Sequence, residues 1–261
     1  MGEKRFDWRL ALILWAAGVV GVAAVIPYSL TLQGSALEEI GPLPVPLGVV
    51  IVAQVSQNAV LVAIAVGLGL LLAGQIGLGA PIIEGLLARE PVGARLRQFL
   101  PLAVLLGAVG AIAIILLDLY LFVPGLPQVA AENAAHPPAW QGFLASFYGG
   151  ITEELFLRLL VMSLLAWLIG LLWRGADGKP TPGAFWAANI LAAILFGLGH
   201  LPATAAIFPL TGWIVLRAVV LNGVVGLACG YLYWQHGLES AMVAHFSADI
   251  VLHVLLPLLA S

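Results

Sequence analysis

Nine ionisable side chains stand inside long apolar runs of this 261-residue chain: Asp118, Glu153, Glu154, Arg158, His200, Arg217, His245, Asp249 and His253. An ionised group in hydrocarbon costs about 3 kcal/mol or more, so residues of this kind are paired, functional or both. Carboxylate and imidazole are the groups that take a proton from water and return it to a leaving group. The first chemistry to consider is therefore hydrolysis by an activated water.

The spacing sorts these residues into roles. In Thr152-Glu153-Glu154-Leu155-Phe156-Leu157-Arg158, Glu154 and Arg158 are four apart, with the glutamate on the N-terminal side that favours an ion pair. Glu153 is rotated by about 100° from Glu154 on an α-helix and cannot lean on the same arginine. Glu154 is expected to be the structural partner of Arg158. Glu153 then faces the bundle interior without a counter-ion from its own helix, the placement a general base requires. Phe196-Gly197-Leu198-Gly199-His200 puts Phe196 and His200 on one face, with small residues between them that allow close helix approach. His245-Phe246-Ser247-Ala248-Asp249 repeats the four-residue spacing, and His253 follows one turn later. Asp249 is expected to bond His245 and fix its tautomer. Asp118 and Arg217 sit near the ends of their runs, where they pair or reach the headgroups. His136 and His236 read as solvated loop residues, and Cys229 as a packed, inert thiol.

Seven apolar stretches must position these groups, over about residues 10–32, 46–74, 99–123, 141–172, 184–209, 212–234 and 238–258, each long enough to cross roughly 30 Å of hydrocarbon. The stretch 80–98 mixes Glu84, Arg89, Glu90, Arg95 and Arg97 with leucines and reads as an interfacial helix. The fold class is therefore all-α, a polytopic membrane bundle. It is taken as a single membrane domain over 1–261, with N-terminal helices in 1–140 and catalytic helices in 141–258. At 1.5 Å per residue, Glu153 and His245 fall about 18 and 20 Å from the outer face. His200 joins them only if the fifth span continues through Pro202 to Pro209, which predicts a proline-kinked helix.

Composition agrees. Apolar residues make up 62% of the chain and charged residues 9%, against roughly a quarter charged in a soluble domain. That excludes a water-soluble globule, a disordered chain and a nucleic-acid binder working through a basic patch. Lys4, Arg5, Arg9, Arg89, Arg95, Arg97, Arg174 and Lys179 all fall on one side of a seven-span topology. The positive-inside rule then puts the N-terminus in the cytoplasm and the C-terminus outside, in the cell (plasma or inner) membrane.

The three motifs, in this order, resemble the signature of the CAAX protease and bacteriocin-processing (CPBP, or Abi) family of intramembrane endopeptidases, which includes the type 2 CAAX prenyl proteases. In that family Glu-Glu-x-x-x-Arg, Phe-x-x-x-His and His-x-x-x-Asn/Asp lie on successive membrane helices. The resemblance covers about 145–250. It implies a peptidase in which Glu153 and His200 activate a water, His245 and Asp249 support the oxyanion, and Glu154, Arg158 and Phe196 give structural support. Two departures stand out: Asp249, where prenyl-processing members have Asn, and Leu159, where a glycine is expected after the arginine. An ionised aspartate beside an oxyanion repels it, so Asp249 must orient His245 or carry a proton.

Zinc is a second option, with Glu153, His200 and His245 as three ligands and one position open for water. The absence of His-Glu-x-x-His speaks against the usual zincin arrangement, and the favoured mechanism requires no cofactor. The expected partners are a peptide or membrane-protein substrate and the membrane lipids, with no nucleic acid. The residues leave open whether the substrate is a prenylated C-terminus, a bacteriocin leader or a regulator of anti-sigma type. The competing classes are a proton-coupled transporter and a catalytically idle immunity or scaffold protein. No inverted repeat supports the transporter.

Overall fold

The computed structural model describes residues 6–34, 44–126, 137–206 and 208–260. Seven helices are long and apolar enough to cross a membrane: α1 (Trp8–Leu32), α2 (Leu47–Ile76), α4 (Gly93–Gly125), α5 (Ala139–Leu172), α6 (Pro182–Ala205), α7 (Gly212–His236) and α8 (Leu238–Leu259). A short helix, α3 (Pro81–Leu87), lies between α2 and α4. The fold is an all-α polytopic bundle, and among the described residues the only β pairing is an isolated bridge between Arg174 and Pro180. Outward faces carry large exposed aliphatics such as Val52, Leu105 and Leu195, a surface suited to lipid rather than water.

Local chemistry sets the helix ends. Asp7 accepts from Arg9 N and Leu10 N, and the Thr181 and Thr211 hydroxyls cap α6 and α7. The N-terminus of α3 is held from outside, where Glu239 Oε1 at the start of α8 accepts from Ile82 N and Ile83 N at 3.0 and 2.9 Å.

Three expectations are corrected. The interfacial helix ends at Leu87 rather than near 98, because Arg89 takes a positive φ of 59° and Pro91 disfavours helix at Glu90. Arg95 and Arg97 therefore lie on the first turns of α4, which runs on through Pro101. The fifth span continues past Pro202 with a break at His200, as the proline-kinked reading expects, but ends at Ala205 instead of Pro209. His236 is the half-buried last residue of α7 rather than a loop residue, its ring centroid 6.5 Å from that of Phe99. His136 lies outside the described residues.

α5 is the hub, packing against α1, α2, α6 and α8, while α8 packs against α4 and α7. Asp118 and Arg217 choose pairing: Arg217 Nε and Nη2 donate to Oδ1 and Oδ2 at 2.7 and 2.6 Å, tying α4 to α7. The basic connections after α2 and after α5 meet at one end of the bundle, where Gly77 faces Lys179 Nζ. Cys229 is a free, fully buried thiol.

Candidate active site

The motif-bearing part of α5 is not regular α-helix. Tyr148–Glu153 and Leu155–Met162 wind as π-helix, and so does Ile250–Leu255 in α8 directly after Asp249. Wide turns of this type are frequent at functional sites, and here they replace the 3.6-residue winding assumed for the fourth span. The four-residue pairing survives. Arg158 Nη1 lies 3.0 Å from Glu154 Oε1, both side chains essentially without exposure. The contact is ionic without hydrogen-bond alignment, since Nη1 has no hydrogen-bond partner. Arg158 Nη2 donates to Gly226 O at 2.7 Å, and its guanidinium lies 5.3 Å from the centroid of the Phe196 ring. Leu159 is accommodated by a glycine on the neighbouring helix, because a β-carbon on Gly69 of α2 would fall 2.7 Å from Leu159 Cγ.

Three helices bring the remaining residues together. Glu153 Oε1 is 4.0 Å from His200 Nε2 of α6, and Glu153 Oε2 is 3.6 Å from His245 Nε2 of α8. The two oxygens of one carboxylate thus face two different imidazoles. Glu153 and His200 keep partial access, with 19% and 34% of their side chains exposed, while His245 is buried. His200 Nδ1 is anchored to Phe196 O at 2.9 Å. The Phe196 ring stands edge-on to both His200 and His245, with centroids 4.7 and 5.5 Å apart. Phe196 therefore separates and orients the two imidazoles and covers Arg158.

The expected partner of His245 is corrected. Its Nδ1 donates to Glu154 Oε1 at 2.7 Å, whereas Asp249 Oδ1 lies 3.8 Å from Nε2, beyond hydrogen-bond distance. An ionised carboxylate only accepts, so Glu154 fixes the tautomer and Asp249 does not. Glu154 serves Arg158 and His245 at once.

The zinc alternative names Glu153, His200 and His245 as ligands. Among the described residues, the group whose ligand atoms lie within 4.8 Å of one another is Glu154, Cys229 and His245, not Glu153, His200 and His245. In that group Glu154 Oε1 is held by Arg158 and His245 Nδ1, while its buried Oε2 has no hydrogen-bond partner.

Residues that sequence reasoning passed over complete the site. Gly149 of α5 faces Asp249, where a β-carbon would fall on Asp249 Oδ2 and lie 3.2 Å from His245 Nε2. Nothing in one sequence distinguishes this glycine from the other 29. Gly149→Ala is expected to push the Asp249 carboxyl aside, lowering any hydrolytic rate at least tenfold while reducing stability by only about 1–3 kcal/mol. Rate and melting temperature measured on one preparation check this.

These elements define the class: a multi-pass membrane protein with a carboxylate and imidazole cluster at the junction of three spanning helices. Residues 135–251 match the family model of the type II CAAX prenyl endopeptidases, Rce1-like, the same grouping that the three motifs resemble. The match implies a protease, hence a hydrolase, and takes in every motif residue while leaving α1 to α4 outside. No curated protein and no solved structure matches the chain.

Proposed function

We propose that this protein is an intramembrane endopeptidase that hydrolyses a peptide bond near the membrane with a water activated by Glu153 and His200. The observation that carries the reading is the Glu153 carboxylate facing His200 and His245 at 4.0 and 3.6 Å from its two oxygens. Neither distance is a direct hydrogen bond, so both partners keep capacity for a third group between them. Glu153 accepts a proton from the water as its oxygen attacks the carbonyl carbon. The carbon–nitrogen bond then breaks, and the proton passes to the leaving amine. His245, with Nδ1–H held by Glu154, carries a second proton on Nε2 and donates it as a hydrogen bond to the tetrahedral oxyanion. Asp249 supports that end of the site, and Glu154, Arg158 and Phe196 hold the imidazoles and helices in register.

The substrate class proposed here is a peptide ending in a prenylated CAAX sequence, a choice supported by the description of the matched family. The N-terminus is cytoplasmic on this reading, with the basic connections on the same side. The test is cleavage of a quenched fluorescent farnesylated peptide by the purified full chain in detergent, beside unprenylated controls. Cleavage supports the reading. Proton-linked flux in liposomes without cleavage points to a transporter, and neither activity points to a scaffold. On this metal-free reading, activity is expected to survive exhaustive EDTA treatment. Loss with chelator and recovery with zinc overturns direct activation of water by Glu153 and His200.

A further inference from the structure

Asp249 lies between two imidazoles. Its Oδ1 is 3.8 Å from His245 Nε2 and 3.8 Å from Nε2 of His253, one turn further along α8. His253 is held in turn by α1, with its Nδ1 3.2 Å from Tyr28 Oη and the rings edge-on at 5.4 Å. The break in α1 at Val25, ahead of Pro27, sets the turn that carries Tyr28. The backbone at His253 is gripped from the other side, since a β-carbon on Gly142 of α5 would fall on His253 O. A polar chain therefore runs from Glu153 through His245, Asp249 and His253 to Tyr28, over 3.6, 3.8, 3.8 and 3.2 Å. Tyr28 and His253 both lie outside the stretch that matches the family.

A carboxylate at Asp249 raises the energy of an oxyanion forming beside it unless it is turned away from that oxyanion. His253 is the group placed to turn it, from the side opposite His245. Its distance from Asp249 exceeds a hydrogen bond, and its side chain is 36% exposed, so it adds little to stability. We infer that His253, held by Tyr28, is a positioning residue for hydrolysis that acts through Asp249 by holding its carboxylate away from the oxyanion. The inference rests on the endopeptidase reading and deepens it.

The experiment is a double-variant cycle on the full chain in detergent, using the farnesylated peptide and Glu153→Gln as control. His253→Ala is expected to lower kcat at least about tenfold with KM within about twofold, and Tyr28→Phe to act in the same direction more weakly. In the Asp249→Asn background, His253→Ala is expected to change kcat by less than about twofold, because the carboxylate it positions is gone. Equal fold-changes in both backgrounds, an effect on KM alone, or unchanged kcat overturns the inference and leaves the endopeptidase standing. If wild type shows no Glu153-dependent cleavage, the proposed function fails and the inference with it. Melting temperatures identify a variant that fails to fold, and His253→Gln then carries the same comparison.

Discussion

Glu153→Gln is expected to reduce peptide cleavage by at least about 10²–10⁴-fold while the protein still folds and melts as wild type. Glutamine keeps the shape and the hydrogen-bonding capacity of the side chain but cannot accept the proton of the attacking water. The fold should not notice the change. Glu153 is the partly exposed member of the glutamate pair and lies 3.6 to 4.0 Å from its imidazole neighbours, whereas Arg158 is neutralised by Glu154. Initial rates with the farnesylated peptide and thermal melting in the same detergent check both halves. Retention of full activity removes Glu153 as the base.

Arg158→Leu is expected to act on stability first, by about 3–5 kcal/mol, because it strands the Glu154 carboxylate in a fully buried site. Glu154→Gln strands the guanidinium in the same way. The two differ in the second duty of Glu154. Its Oε1 accepts from His245 Nδ1 at 2.7 Å, so the glutamine variant also loses the charged anchor of an imidazole that serves the oxyanion. The double variant Glu154→Gln with Arg158→Met is therefore expected to melt closer to wild type than either single change, with activity still low. Singles that melt as wild type contradict the pair, and recovered activity in the double variant contradicts the anchoring of His245.

How much of this could be read without coordinates depends on the range of each interaction. The seven spans follow from hydrophobic length, and their bounds in the structure stay within a few residues of the apolar runs except at α4 and at the end of α6. Both exceptions come from backbone chemistry that hydropathy does not register: the positive φ of Arg89 before Pro91, and the helix break at His200 before Pro202. The Glu154 and Arg158 pair was legible because four residues along a helix bring side chains together whatever surrounds them. The same rule misled at Asp249, whose four-residue spacing from His245 yields 3.8 Å rather than a bond.

The sequence by itself determined an all-helical membrane bundle, the three motifs and the isolation of Glu153 from its neighbouring arginine, since each follows from local spacing and from the cost of charge in hydrocarbon. Only the tertiary structure decided which carboxylate holds His245, that two imidazoles face one glutamate, and that Tyr28 of α1 reaches His253 of α8. Those contacts join side chains up to 225 positions apart. They depend on helix rotation and on close approach at glycines such as Gly149, which no periodicity encodes.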